Sequence, residues 1–136
     1  MQNKLLQFSG FSGAIAVSLG ALGAHGLKSK LETGLITESN LQAFDTAVRY
    51  QMYHSIALLA MAFLINKLNK KSITTAAYCF MAGIVFFSGS IYILSTSTLL
   101  GLENVKWLGP FTPIGGLFFV YGWIMLAVCG IKKQLI

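Results

Sequence analysis

Four long apolar runs alternate with short polar stretches along this chain of 136 residues. The runs cover approximately residues 5–24, 52–65, 73–94 and 111–131, and charged residues, glycine or proline separate them. A transmembrane helix needs about 20 apolar residues to cross ~30 Å of hydrocarbon. Because most connections are short, the pattern predicts an all-α, up-and-down bundle of four transmembrane helices in a single domain of residues 1–136.

The second apolar run is too short to cross a membrane by itself. Upstream of it, apolar or small side chains recur at spacings of three and four, at Leu41, Phe44, Val48, Met52, Ser55 and Leu59. This unbroken helical phase predicts an amphipathic extension at about residues 38–50, leading into a helix 2 that ends near residue 66. Thr37 or Ser39 can cap this helix.

Glycine and proline set the predicted ends of the other helices. We expect Gly26 to end helix 1, at about residues 5–25, and we place helix 3 at about 73–96. Thr112 and Pro113 have the pattern of an N-cap followed by proline, which predicts helix 4 at about 112–131. Helix 1 is expected to be a retained span, because its apolar run is longer than a usual signal core.

A short amphipathic segment is predicted between helices 1 and 2. Leucines recur every fourth residue among charged residues, at Leu27, Leu31 and Leu35 with Lys28, Lys30 and Glu32. This pattern is typical of a helix lying on a membrane surface. We therefore expect the segment to rest on the outer face of the membrane.

Composition supports a membrane protein, and charge predicts its orientation. Hydrophobic residues make up 55% of the chain and charged residues 10%, and the mean hydropathy is +0.70, which excludes an ordinary soluble globule. The termini and the loop between helices 2 and 3 carry only cations, namely Lys4, Lys67, Lys70, Lys71, Lys132 and Lys133. The positive-inside rule therefore predicts a multi-pass plasma-membrane protein with both termini in the cytoplasm. Lipid headgroups account for the net charge of +6, so no nucleic-acid partner is expected.

The segment from Arg49 to His54 concentrates polar groups at the mouth of an apolar run, where they are costly and tend to be functional. Helical phase divides it into one face with Asp45, Arg49 and Tyr53 and another with Tyr50, Gln51 and His54. The first face is predicted to be an interfacial anchor with an i,i+4 ion pair, although its guanidinium can equally hold a lipid phosphate. The second is expected to point into the bundle.

Two further candidate sites lie toward the outer side. His25 and His54 would share a depth if their helices are neighbours, so haem or metal binding between them is an alternative to simple hydrogen bonding. No cofactor is expected, because a carboxylate or thiolate partner is missing from the pattern. At the start of helix 4, Thr112, Gly115 and Gly116 could present backbone N–H groups to an anion, or the glycines could pack against helix 1.

Small residues predict where the helices touch. On helix 1 these are Gly13, Ala16, Gly20 and Gly23, and on helix 3 they are Ser88 and Gly89. Such residues let two backbones approach closely, and the hydroxyls of helix 3, including those of Tyr92 and Ser95, can bond across helices. Trp123 is expected in the core and Trp107 at the outer interface. Cys79 and Cys129 are expected to be buried, unreactive thiols.

Several motifs together resemble a known family. They are Gly23–Leu27, Thr46–His54, Phe87–Tyr92 and Thr112–Gly116, with Gly122 and Trp123 beyond. This set is similar to the family called domain of unknown function 423, small bacterial integral membrane proteins with a eukaryotic small transmembrane relative. The resemblance implies a four-helix plasma-membrane protein and supplies no activity and no catalytic residues.

We therefore expect a non-enzymatic membrane protein whose outward polar cluster binds a lipid or a partner protein, the partner being a second copy of this chain or another membrane protein. The motivation is a cluster without a nucleophile, carboxylate pair or metal constellation. A small oligomeric transporter or channel is the alternative, although the spans carry no acid for ion coupling. An intramembrane enzyme is the third hypothesis, with Tyr50, Tyr53 and His54 as the groups available for acid–base chemistry.

Overall fold

The computed structural model describes residues 1–133, with side chains for residues 1–130. The end of the predicted domain at 134–136, and the side chains of Lys132 and Lys133 used for the predicted orientation, lie outside this part. The helices are α1 (Gln2–Ala21), α2 (Lys28–Glu32), α3 (Glu38–Leu64), α4 (Lys70–Gly83), α5 (Gly89–Thr96) and α6 (Phe111–Lys133). No strand occurs in the described residues, so the all-α prediction is confirmed.

A π-helical turn, Leu22–Leu27, joins α1 to α2 without a break. The prediction that Gly26 ends helix 1 is therefore wrong, because the backbone stays right-handed helical through Lys28 and on to Glu32. The segment after Gly26 thus continues the first long helix and does not begin a separate one. Leu27 is buried with Ile36 and Phe44, so the segment packs on the start of α3.

Helix α3 begins at a capping box and runs unbroken for 27 residues. The Thr37 hydroxyl accepts the Asn40 N–H at 3.2 Å, and the Asn40 side-chain oxygen accepts the Thr37 N–H at 3.0 Å. Each bond satisfies a backbone donor that a helix start leaves without a partner. The prediction that residues 38–50 continue helically into helix 2 is thus confirmed.

The third long helix consists of α4, a π-helical segment at Ile84–Ser88, and α5. The Asn69 side chain caps its start by accepting the Ser72 N–H at 3.1 Å. A short 3₁₀ helix, Val105–Leu108, then leads into α6. Helix α6 begins one residue before Thr112, so the predicted N-cap at Thr112 is wrong. The Thr112 hydroxyl instead lies 2.7 Å from the Ser90 hydroxyl on α5.

Two apolar clusters occupy opposite ends of the bundle. One joins the start of α1, the end of α3, the start of α4 and the end of α6, through residues such as Leu5, Leu58, Ile73 and Cys129. The other joins the π-helical turn to the start of α3 and the end of α5. Consecutive long helices must therefore run in opposite directions, as in an up-and-down bundle.

Among the residues that the structure describes, three helical stretches are long and apolar enough to cross a membrane by length and composition, at Gln2–Glu32, Lys70–Thr96 and Val105–Gly130. Helix α3 is not among these stretches, because its composition is less apolar. It is long enough, but polar residues such as Arg49, Gln51 and His54 interrupt its apolar sequence. The structure thus supports a membrane protein with three apolar spans beside a more polar fourth helix.

Glycines of α6 and α4 bring these two helices into close contact. A Cβ on Gly115 would lie 2.3 Å from the backbone nitrogen of Phe87, and one on Gly122 would lie 2.6 Å from the Phe80 ring. The prediction that Gly115 and Gly116 pack closely holds for Gly115, but its partner is the π-helical segment and not helix 1. Gly116 is only in ordinary contact, 3.9 Å from the Phe87 ring.

The small residues of α1 pack against α3 at some of the predicted positions. Ala16 is fully buried, and added Cβ atoms on Gly20 and Gly23 would lie 3.3 Å from Val48 and 3.2 Å from Phe44. No atom lies within 4 Å of the corresponding position on Gly13 or on Gly89. Neither glycine therefore makes a close helix contact, so the prediction that they pack is wrong.

We expect Gly115→Ala to lower the free energy of unfolding by about 1–3 kcal/mol, because a rigid backbone cannot move away from the new methyl group as a side chain can. Adjacent Gly116→Ala is the matched control and should be neutral or slightly stabilising. Thermal unfolding of the two variants in the same detergent measures the difference. Equal melting temperatures would contradict the close helix contact.

Candidate functional site

A row of buried polar side chains crosses three helices at the middle of the bundle. The Gln51 amide nitrogen donates to the backbone oxygen of Ser12 at 2.9 Å, and its amide oxygen accepts the Tyr92 hydroxyl at 2.8 Å. Gln51 is only 4% exposed. A single side chain on α3 therefore links α1 to α5.

Serine hydroxyls extend this row on both sides. The Ser55 hydroxyl lies 2.7 Å from both the Ser12 hydroxyl and the Gln51 carbonyl. The Ser88 hydroxyl donates to the Ala47 carbonyl at 2.8 Å, which joins the π-helical segment to α3. Tyr92 and Ser88 thus bond across helices as predicted, whereas Ser95 bonds to carbonyls of its own helix.

His54 lies in an aromatic box between α3, α4 and α6. Its ring stacks on Phe119 with centroids 3.5 Å apart and planes 10° apart, and it meets Phe80 edge-on at 5.0 Å. The Trp123 indole N–H donates to His54 Nε2 at 3.2 Å. Trp123 itself is 49% exposed, so it covers the imidazole from the bundle surface and is not the core residue predicted.

The hydrogen bonds of His54 define its tautomer. Nδ1 lies 2.7 Å from the Tyr50 carbonyl oxygen, which can only accept, so this nitrogen carries the proton. Nε2 must then be unprotonated to accept the indole N–H. Both ring nitrogens are therefore occupied by protein partners, in the neutral form of the imidazole.

His25 does not share a site with His54. It is exposed in the π-helical turn, whereas His54 is buried. Neighbouring Gly23 packs on Phe44, and His54 follows ten residues later on α3, about 15 Å further along the helix. The expected common depth is wrong because the π-helical turn that carries His25 packs on the start of α3, whereas His54 lies near the middle of that helix. Within the described residues, no group of three or more His, Cys, Asp or Glu residues could hold a metal ion.

The two faces predicted for the Arg49–His54 segment are present. Arg49 and Asp45 form an ion pair on the exposed side of α3, and Tyr53 is exposed beside them. Gln51 and His54 point into the bundle. Tyr50 lies at the border: it is partly exposed, and its ring centroid is 4.9 Å from that of Phe87.

An open groove with an apolar floor and a polar rim lies between the π-helical turn and α3, with a volume of about 300 Å³. We call it the outer groove, after the side of the membrane on which the sequence pattern predicts this end of the bundle. Its floor and walls are Gly20, Gly23, Ala24, Leu41, Phe44 and Val48, and its polar groups are those of Lys28, Gln42 and Asp45. The close approach of Gly23 to Phe44 shapes the floor, because any larger side chain there would fill it.

A second groove, of about 410 Å³, lies on the other side of Phe44, between the π-helical turn and α5. Leucines of the first long helix and of the turn after α5 line it, and Lys30 is its one charged residue among the described ones. Phe44 and the π-helical turn are thus shared by two apolar grooves, each with a lysine. A π-helical turn inside an α-helix is frequently found at functional sites.

Sequence reasoning missed these grooves. The sequence pattern places Lys28 and Lys30 on a surface helix and makes Phe44 one apolar position in a stripe. The signal that could have found the outer groove is the pairing of Gly20 and Gly23 with larger residues of α3's apolar stripe, Val48 and Phe44. Small residues opposite large ones mark a cleft as well as a close contact.

These features define a class: a small helical membrane protein with a hydrogen-bonded polar core and open, largely apolar grooves at one end. The chain matches, over residues 19–116, the family described as Protein of unknown function (DUF423), and it belongs to that family. The resemblance drawn from the motifs is confirmed.

Curated relatives carry membrane-protein names. The UPF0382 membrane protein YwdK of Bacillus subtilis is 45% identical over 87% of this chain and 88% of its own length. A UPF0382 membrane protein of Haemophilus influenzae is 38% identical over 98% of both chains, and one of Staphylococcus aureus is 42% identical over 87% of both. No solved structure matches this chain.

A double-mutant cycle tests the link between α3 and α5. We expect Tyr92→Phe and Gln51→Leu each to lower the free energy of unfolding by about 1–3 kcal/mol, because each leaves a buried polar group without its partner. The combined variant should show a coupling energy of about 0.5–2 kcal/mol. Denaturation in mixed micelles gives these values, and exposed Tyr78→Phe is the control. Strictly additive losses would exclude a direct bond.

Nitrogen-15 NMR of histidine-labelled protein tests the tautomer of His54. We expect one neutral imidazole with its proton on Nδ1, because the Tyr50 carbonyl and the indole N–H fix both nitrogens. His25→Asn removes the other histidine signal and assigns the spectrum. In Trp123→Phe the preference for the tautomer with its proton on Nδ1 should weaken, since Nε2 loses its hydrogen-bond donor. A proton on Nε2 in the unaltered protein would refute the bonding described.

Proposed function

We propose that this protein is a non-enzymatic lipid-binding protein of the plasma membrane, with four spans and both termini in the cytoplasm. Helix α3 would be the fourth span. Its 27 residues correspond to about 40 Å of helix, which is more than the hydrocarbon thickness. The two apolar clusters support this topology, since each joins helix ends that would lie on one side of the membrane.

The polar residues of α3 are compatible with such a span. Gln51 and His54 are bonded inside the bundle, so they present no unpaired polar group to lipid. Arg49 is paired with Asp45, and helical side chains incline toward the helix N-terminus, which is the outer end of α3 in this topology. The long Arg49 side chain can thus extend to the headgroup region.

The outer groove is the observation that carries the proposal. It combines an apolar floor with charged groups at its rim, as an amphipathic ligand requires. Its depth also suits a lipid. Lys28 follows Lys4 by 24 residues on one continuous helix, about 36 Å, so with Lys4 at the inner headgroups Lys28 reaches the outer headgroups.

The buried polar row supports binding over transport. Among the described residues, no buried side-chain nitrogen or oxygen lacks a hydrogen-bond partner. A row whose groups bond to one another offers little to a passing ion or solute, which needs groups that can replace its hydration shell. The outward polar cluster predicted as the ligand site is therefore better explained as structure, and the grooves beside it as the binding surface.

We expect Ala24→Phe to reduce lipid retention by on the order of tenfold, because the ring would occupy the outer groove. Ala24 is exposed and lines the groove, so the substitution causes no buried clash. Ala21→Phe, on an exposed position of the same helix outside the groove, is the matched control. Native mass spectrometry of the detergent-solubilised full chain counts retained phospholipid. Absence of lipid from the unaltered protein, or equal retention by both variants, would overturn the proposal.

A further inference from the structure

The outer groove carries charges of both signs on opposite walls. Lys28 comes from the end of the long first helix, and Asp45 comes from α3, with the Gln42 amide one turn before it. An anionic headgroup would meet a carboxylate there, whereas a ligand with an ammonium and a phosphate would find a partner for each. Charge complementarity of this kind selects among ligands even when it adds little affinity.

We propose that the outer groove selects a phospholipid whose headgroup carries a primary ammonium beside its phosphate, as phosphoethanolamine does. This inference rests on the proposed lipid-binding function and specifies the headgroup for the same groove. Lys28 binds the phosphate, Asp45 accepts the ammonium N–H, and the Gln42 amide contacts either group. The acyl chains lie on the apolar floor and continue into the surrounding membrane.

The Asp45 carboxylate retains capacity for a second donor. Arg49 bonds to its Oδ2, which leaves Oδ1, and an ionised carboxylate has about four acceptor positions. Bonds between a charged donor and a charged acceptor are about twice as strong as neutral ones, so an ammonium is a better partner than an alcohol.

The same geometry disfavours other common headgroups. A trimethylated ammonium, as in phosphocholine, has no N–H to donate, so it cannot form the bond to Asp45. A phosphoglycerol headgroup has no cation, and its net negative charge would lie near the carboxylate. Selection therefore depends on Asp45, whereas Lys28 contributes to all phospholipids alike.

An equimolar mixture of phosphatidylethanolamine, phosphatidylcholine and phosphatidylglycerol with matched acyl chains tests the proposal. The full chain in detergent is incubated with the mixture, and retained lipids are resolved by native mass spectrometry. We expect phosphatidylethanolamine to be retained about five- to tenfold over the other two. Retention should fall stepwise through the N-methyl and N,N-dimethyl lipids to phosphatidylcholine, a series that needs no variant protein.

Charge variants identify the residue that selects. Asp45→Asn should abolish the preference. Arg49→Gln removes the ion pair but keeps the carboxylate, and Glu38→Gln removes an acid on the same helix outside the groove. Both variants should therefore retain the preference for phosphatidylethanolamine. Lys28→Gln should weaken retention of every phospholipid without changing their ratio. Lys30→Gln, in the second groove, should change neither the amount of retained lipid nor the ratio. A preference that survives Asp45→Asn would overturn the assignment.

The remaining outcomes separate the two proposals. Lipid that is retained without headgroup preference, and lost in Ala24→Phe, would overturn the phosphoethanolamine assignment and leave lipid binding intact. No retained lipid would overturn both. Soluble glycerophosphoethanolamine should not displace the bound lipid, because it lacks acyl chains for the floor, and displacement at comparable concentration would show that a soluble phosphoamine is the ligand.

Discussion

The amide of Gln51 is the interaction on which the bundle depends. A buried amide in an apolar medium must have partners for its donors and its acceptor, and here they come from α1 and α5. Van der Waals contact alone tolerates sliding of one helix along another, whereas these bonds fix the depth of α3 between its neighbours. That depth sets Val48 and Phe44 opposite Gly20 and Gly23, and so shapes the outer groove.

A second constraint acts through size. At the close points of the contact between α6 and the third helix, a glycine of one helix faces a large ring or the backbone of the other, as at Gly122 and Phe80. Phe119 then stacks on the His54 ring, so the close contact of α6 also positions an imidazole on α3. Packing and polar satisfaction are therefore linked at one residue, and neither is sufficient for the fold by itself.

The helical periodicity of the sequence predicts much of this arrangement. It does not predict how residues on different helices lie relative to one another, for physical reasons. The polar face containing Gln51 and His54 follows from residue spacing, because period alone decides which side chains share a face. The depth of His25 does not follow from residue spacing, because it depends on which glycine of the first long helix meets Phe44. The continuation through Gly26 was also missed, since glycine permits a helix end without requiring one, and here buried Leu27 favours continuation.

The molecule consists of two helical hairpins, which hydrogen bonds to α3 join together. The first consists of α1 to α3 and the second of α4 to α6. Within residues 1–130, three side-chain hydrogen bonds join them: Tyr92 to Gln51, Ser88 to the Ala47 carbonyl, and Trp123 to His54. The apolar cluster that joins the ends of α1 and α3 to those of α4 and α6 also spans both hairpins, so apolar contact helps to hold the two halves together. The directional bonds then fix the orientation in which the two halves of the chain recognise each other.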